Sequence, residues 1–334
     1  MGKTPAGPSG RQVNSLEVRC PGLGDSKRIS ELFAHDYHAA NTRLKNRSER
    51  AISLSNVSRS RPTIDEHGRF VSPDFRGQLR FRPSEITRIN AGLDAVRKRL
   101  EACGITFLVV LVPNKQSIYG SYLGSDEAGV STRIDDLLPH LDESVRSIIV
   151  DLRGPLRTAS DTYAPRLLYS KTDTHWNALG AFQAYQAILT ELARRIRVPS
   201  LDLADLDRFD VMQRRSTGGD MGRSLLAPSR FPDTEISLIP KAPIPRVEAD
   251  PQHTVFRATV DASAGPLVIF GDSFAASLAE PLARHFGKVY SRGQRVDGAI
   301  IAETGSKVVL LELVTPHAGR LLGPFPNMEH ACRQ

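Results

Sequence analysis

The sequence predicts an α/β protein with three layers, α/β/α, built around a mostly parallel central sheet. Three observations carry that expectation. The runs ITFLVVLV (105–112) and KVVLLELV (307–314) are almost wholly apolar and rich in β-branched residues, as strands buried on both faces are. Segments with helical periodicity lie between such runs. Strand-like and helical segments also alternate along the chain, an order that calls for helical crossovers and parallel strands.

The elements follow in order. Residues 1–25 are rich in Gly, Pro and Ser and read as a disordered leader. Residues 26–82 read as an N-terminal extension, with a helix at SKRISELFAHDYHAANTRL (26–44) and short strands or an extended lead-in at 65–82. From Ser84 the pattern sharpens. Ile86, Ile89, Leu93, Val96 and Leu100 recur at spacings of three and four, with Ser84 as expected N-cap and Gly104 as the stop. Strands are expected at 105–112, 147–151, 267–270 and 307–314, with a shorter one at 288–291. Residues 199–264 carry many Pro and Arg and no strong period, and read as an excursion from the core that shapes a rim. The main domain is placed at 83–325 and a tail at 326–334.

Composition narrows the function classes. A chain of 334 residues with 40% hydrophobic and 24% charged content has ample core for one large domain or two modest ones. The net charge of +7 is spread along the chain except at 43–62. That run reads as a solvated linker; binding of an anionic polymer or membrane surface is the alternative. No aromatic residue lies among its arginines, so nucleic acid is not an expected partner. Cys20, Cys103 and Cys332 form no metal spacing and suggest no disulfide framework; Cys103 reads as a plain buried thiol. Neither a signal peptide nor an apolar run long enough to span a membrane is visible. As written, the chain is expected to stay in the cytoplasm.

Two stretches carry chemistry. In GPLVIFGDSFAASLAEPL (265–282) a strand ends at Phe270, Gly271 permits a tight turn, and Ser273 opens a helix-prone segment that Pro281 ends or divides. A serine there has free backbone N–H groups beside it, suited to a developing oxyanion. The bland alternative is that Asp272 and Ser273 only cap a helix. In TDTHWNALGA (172–181), Asp173 and His175 lie just ahead of a helix starting after Asn177. There the carboxylate can accept from imidazole Nδ1–H and leave Nε2 free for a hydroxyl proton. Again a capping cluster is the alternative. A metal site lacks a second His or Cys at ligand spacing, and no cofactor is expected. Trp176 reads as core or as a sugar-stacking wall.

Taken together, LVPNKQSIYG (111–120), YSKTDTHWNALGA (169–181), GGDMG (218–222) and VIFGDSFA (268–275) resemble the AlgX/AlgJ family of SGNH hydrolase-like polysaccharide O-acetyltransferases. The resemblance implies an SGNH-type domain and transfer of an acetyl group to a carbohydrate hydroxyl through an acetyl-serine intermediate. Ser273 would be the nucleophile, His175 the general base and Asp173 its orienting carboxylate. Weaker candidates for substrate or oxyanion contact are Asn114, Lys115, Trp176, Asp220 and Arg292, with Arg295 beside the last. Implied partners are a carbohydrate acceptor and an acetyl donor, the acetyl group handed over by a membrane acyltransferase being one source. A carbohydrate acetylesterase and a catalytically silent polysaccharide-binding or assembly protein are the competing readings. The family resemblance implies the periplasm, although no signal peptide is visible, and with so few residues after the strand ending at Val314 no added carbohydrate-binding module is expected.

Overall fold

A computed structural model describes residues 63–64, 70–71, 74, 77–120, 131–220 and 232–333. The expected leader, the helix at 26–44 and the basic run at 43–62 lie outside the described residues. The described residues begin with an antiparallel pair, β1 (Thr63–Ile64) and β2 (Phe70–Val71). Then come α1 (Pro83–Glu101), β3 (Thr106–Val112), α2 (Lys115–Tyr119), α3 (Arg133–Leu137), α4 (Glu143–Arg146), β4 (Ile149–Asp151), α5 (Arg153–Tyr163) and α6 (Ala178–Ala193). Next are β5 (Phe209–Ser216), β6 (Asp233–Pro240), β7 (Val247–Ala249), β8 (Val255–Ala258), β9 (Leu267–Phe270), α7 (Ala276–Phe286), β10 (Lys288–Arg292), α8 (Gly298–Thr304) and β11 (Val308–Val314).

The central sheet has seven strands in the order β4-β3-β11-β9-β10-β8-β7. The first five are mutually parallel, and β8 and β7 extend the edge antiparallel. β3 and β11 pair over their full lengths, Thr106 to Val112 against Val308 to Val314. Every residue of β11 and all but the first of β3 are buried, which is why both read as unbroken apolar runs. Helices α5, α6 and α7 pack side by side in one layer, while α1 and α8 meet the C-terminal turns in the other. The expected α/β/α architecture is thus present.

Four local readings change. Helix α1 starts two residues earlier than expected, with Arg82 rather than Ser84 at its N-cap. Pro83 takes the first helical position and Glu85 Oε2 accepts from the Arg82 N–H at 2.8 Å; proline's fixed φ suits that position. Pro281 neither ends nor divides a helix but lies inside α7. The stretch 199–264 is more regular than its lack of period suggests: its described residues hold the β5–β6 hairpin, a two-stranded sheet apart from the central one, and β8 and β7, which extend the central sheet. Its strands bury few residues, β5 being mostly exposed, so they lack the apolar alternation that marks a half-buried strand.

The fourth change is covalent. Cys103, at the end of α1, is bonded to Cys332 with Cα atoms 5.4 Å apart, so it is not a free thiol. Sequence could not show this because the partners are 229 residues apart and only the fold brings them together. Around the bond the C-terminal segment is seated on the domain. Arg99 donates to the Met328 and Glu329 carbonyls at 3.1 and 2.7 Å, Gly298 N–H donates to Pro326 O at 3.0 Å, and Ala331 is fully buried. Among the described residues no helix is long and apolar enough to cross a membrane. Closing so long a loop constrains the unfolded chain, a stabilisation of about 2–4 kcal/mol in typical cases. Cys332→Ser should therefore lower the melting temperature by roughly 5–10 °C, and thiol titration of the native, unreduced protein should find Cys103 and Cys332 unreactive.

Candidate active site

The residues at issue meet above the carboxyl ends of the parallel strands, where open α/β sheets bind ligands. Gly271 leaves β9 for a turn that exposes Ser273 while burying Asp272 and Phe274 on either side. Only glycine fits there: a Cβ on Gly271 would lie 2.6 Å from Glu312 Oε2 and 2.5 Å from Ala275 Cβ. Asp272 Oδ1 accepts from Phe274 N–H at 3.1 Å, and Oδ2 accepts from Val314 N–H and His317 Nδ1, each at 3.1 Å. Asp272 is therefore a buried brace of the turn.

Asp173 and His175 lie in the loop between α5 and α6. The loop closes on itself through a Tyr169–Trp176 bridge, and Asn177 caps α6 with its Oδ1 while its own N–H donates to Leu168 O at 2.9 Å. Two charged side chains hold it from outside. Lys115, just past β3, donates from Nζ to the Ser170 and Lys171 carbonyls at 2.6 and 2.9 Å. Asp233, at the start of β6, accepts from Lys171 N–H (3.1 Å), Thr172 N–H (2.7 Å) and the Thr172 hydroxyl (2.6 Å).

So held, His175 bridges the two stretches singled out by sequence. Its Nε2 lies 2.7 Å from Ser273 Oγ, and its Nδ1 lies 2.6 Å from Asp173 Oδ1. The ring packs against Phe274 with centroids 4.9 Å apart. Asp173 also accepts from His175 N–H at 3.0 Å and from Asp220 N–H at 2.9 Å. Burial pushes the Asp173 carboxyl up, but the His175 ring, the two amides and the His175 charge outweigh it and hold it well below the usual carboxylate range. The Asp173 bond in turn raises the His175 imidazole above its ordinary value, against its burial, with the charges of Asp220 and Asp272 adding to the shift.

The weaker candidates separate. Asp220 belongs to the cluster: its carboxylate accepts from Thr174 N–H at 2.8 Å and from the Thr174 hydroxyl, and its Oδ2 lies 3.8 Å from His175 Nδ1. Neighbouring Gly219 must stay side-chain-free, because a Cβ there would collide with the Asp173 carboxyl. Lys115 is engaged with loop carbonyls rather than facing a ligand, and burial lowers its pKa to about 8 against the pull of Asp233, Asp220 and Asp173. Asn114 caps α2, its Oδ1 taking Ser117 N–H and Oγ at 2.9 and 2.8 Å. Trp176 is core, not a wall at the mouth: it is 6% exposed, stands edge-on to Phe274 and donates from Nε1 to Ser277 Oγ at 2.6 Å. Arg292 donates to Thr254 and Ser291 carbonyls and covers Tyr290 at the sheet edge; none of its contacts among the described residues is to Ser273, His175 or Asp173.

Asp173, His175 and Asp220 also offer three potential cation ligands within 4.8 Å of one another. Sequence dismissed a metal for want of a second His or Cys, and Asp220 supplies a third donor atom instead. Those atoms already pair with the imidazole, Thr174 and backbone amides, so a cation would have to displace these bonds. Sequence reasoning missed Asp233 and Glu312. The first lies at the start of an edge strand without apolar period; the second is the single charge within VVLLELV, a signal that was legible.

A mostly parallel α/β/α sheet with a serine turn after a central strand and an Asp-x-His loop beside it defines an SGNH hydrolase-like protein. The chain belongs to the family described as "SGNH hydrolase-like domain, acetyltransferase AlgX", which matches residues 74–294. It is 31% identical over 103 residues to a probable alginate O-acetylase AlgJ of Pseudomonas putida, a stretch covering 30% of this chain and only 26% of that protein. Among solved structures it resembles PatB1 of Bacillus cereus, with TM-score 0.55 and 17% identity over 73% of this chain and 92% of that one. A DHHW family protein of Eubacterium siraeum gives TM-score 0.53 and 18% identity over 83% and 96%. At these identities the structural likenesses speak for the fold alone.

Replacing Asp233 by Ala would leave three donors of the His175 loop without their acceptor. Each buried orphan costs about 1–3 kcal/mol, so Asp233→Ala is expected to lose at least 2–3 kcal/mol, roughly, in urea unfolding, with local amide exchange quickening first at 171–176.

Proposed function

We propose that the chain is an O-acetyltransferase that acetylates a carbohydrate hydroxyl, with Ser273, His175 and Asp173 as its catalytic residues. The observation that carries this reading is the continuous bond pattern Ser273 Oγ to His175 Nε2 and His175 Nδ1 to Asp173 Oδ1, at 2.7 and 2.6 Å. Membership of an acetyltransferase family supports the reaction class. As Ser273 Oγ attacks the acetyl carbonyl of a donor, Nε2 takes the hydroxyl proton and then passes it to the leaving group. The Ser273 N–H, which has no acceptor among the described residues, is placed to bind the developing oxyanion. A sugar hydroxyl then gives its proton to Nε2 and attacks the acetyl-serine, releasing the ester and restoring Ser273. Asp173 stays ionised, fixing the tautomer and stabilising the imidazolium.

The catalytic unit is taken as 83–325 together with the C-terminal segment seated on it. Carbohydrate as acceptor follows from the family's chemistry, and an acetyl group passed on by a membrane acyltransferase is one donor. The Cys103–Cys332 bond supports an oxidising compartment. Ser273 is exposed, so water can compete with sugar for the acetyl-enzyme. Hydrolysis without transfer is therefore the second reading.

An aryl acetate tests the enzyme, and added oligosaccharides test transfer. Wild type should form a covalent adduct one acetyl group heavier and pass the acetyl to sugar. Ser273→Ala should lower turnover by roughly 10⁴-fold or more, and equal background rates in both proteins would end the catalytic reading. Because the base must be neutral to accept a proton, kcat/KM should fall as pH drops through the His175 pKa. That midpoint should lie above the ordinary imidazole value of about 6.5, since its pKa is raised. Asp173→Asn should move it down and cut kcat.

A further inference from the structure

Beneath the serine turn lies a carboxyl group that the proposed mechanism does not use. Glu312 stands near the end of β11, between β3 and β9, and is wholly buried. Its Oε2 accepts from the Asp272 N–H at 3.0 Å, while its Oε1 is buried with no hydrogen-bond partner. The need is local. β9 ends at Phe270, and the Gly271 N–H is taken by Arg292 O on β10. Asp272 N–H, next along, has left the sheet ladder, and Glu312 is the acceptor supplied from the other neighbouring strand. The side chain also fills the space against Gly271 that a Cβ would occupy.

We propose that Glu312 is a positioning residue for the serine nucleophile: its carboxyl group holds the Gly271–Asp272 turn at the height that presents Ser273 Oγ to His175 Nε2. This rests on Ser273 being the nucleophile, as argued above. Glu312 does this work as a neutral acid. The groups that face it are Asp272 from the turn, Tyr169 from the His175 loop and Arg320 from the segment after β11, with His317 joined through Asp272. Arg320 is exposed, so among the described residues no buried cation compensates a charge on Glu312. Burial and the neighbouring Asp272 charge raise the Glu312 pKa well above the usual range. Asp272 meets the same burial but has three hydrogen bonds from His317, Val314 N–H and Phe274 N–H, so its carboxyl is held low. The pair is split, with the brace ionised and the acid under it protonated.

The sign for stability follows. Unfolded, Glu312 releases its proton at an ordinary carboxylate pKa; folded, it keeps it. The folded state therefore binds more protons above that pH, and stability falls as pH rises toward the raised folded value. Glutamine keeps the acceptor and the shape and removes this penalty.

Two measurements on the full chain test the proposal: labelling of Ser273 by a fluorophosphonate, followed by intact mass, and melting temperature against pH. Glu312→Ala should label 10- to 100-fold more slowly, roughly the change a misplaced nucleophile gives, with kcat for an aryl acetate lowered in parallel and KM little changed. Glu312→Gln should restore both rates to near wild type, keep the pH midpoint of kcat/KM, and melt higher than wild type at neutral pH but not at pH near 4. Labelling of Glu312→Ala at the wild-type rate would overturn the positioning role. A Gln variant as slow as Ala, or with a shifted midpoint, would overturn the neutral acid. Should the Ala variant not fold, the Gln variant and the two pH–stability curves still decide the second point, and a Glu312→Asp variant, with its acceptor drawn back by one methylene, decides the first. Wild type that never labels would defeat the nucleophile itself, an outcome distinct from all of these.

Discussion

The bond from His175 Nε2 to Ser273 Oγ joins residues 98 positions apart, and the fold is arranged to make it short. In a parallel sheet the turns that leave the strands share the carboxyl edge, which places the turn after β9; the loop between α5 and α6 is held at that edge by Lys115, just past β3, and by Asp233. Nearness alone would leave an imidazole on a loop free to swing. Here the loop is fixed by a backbone bridge at Tyr169–Trp176, by the Asn177 cap, by Lys115 from the end of β3 and by Asp233 from the start of β6. Each restraint is anchored on a different element. The ring's position is therefore a property of the whole sheet edge rather than of a few neighbouring residues.

Charge is distributed around that bond with the same economy. Asp173, Asp220 and Asp272 all act to stabilise a protonated His175, the state that the proposed mechanism requires when a hydroxyl proton moves to Nε2. An imidazole held too strongly protonated would cease to be a base, so a further anion nearby would be harmful. Glu312 is the acid nearest to becoming one. Wholly buried and beside Asp272, it keeps its proton, supplying an acceptor oxygen without adding a charge. Two carboxyl groups, one ionised by three hydrogen bonds and one neutral for want of them, thus serve the same turn by opposite means.

What could be read in the sequence follows from how local each signal is. Helix α1, β3, β9 and β11 were legible because their burial is periodic or complete, and Asp173, His175 and Ser273 because each lies at an element boundary with chemistry of its own. The N-cap of α1 slipped because Pro83 and Ser84 are both good starting signals and only the backbone decides between them. The β5–β6 hairpin was invisible: its strands expose most of their side chains, so no alternation marks them. Cys103 had no visible partner for the same reason that Asp233 had no visible role, since both act across more than sixty residues of chain. Glu312 is different. A lone acid in a strand buried on both faces is a local anomaly, and a buried acid must be paired or neutral.

The two charged anchors of the His175 loop show why long-range restraints suit a site of this kind. Lys115 is a half-buried cation: burial draws its pKa down, the charges of Asp233, Asp220 and Asp173 oppose that, and the balance is about 8, so it stays charged at neutral pH. Replacing the ammonium with an apolar group would leave the loop carbonyls of Ser170 and Lys171 without donors and the acids without their cation. Loop position and site electrostatics are then one quantity, set by the same few side chains. A loop pinned by apolar packing could hold the ring equally still, but it could not set the charge around it.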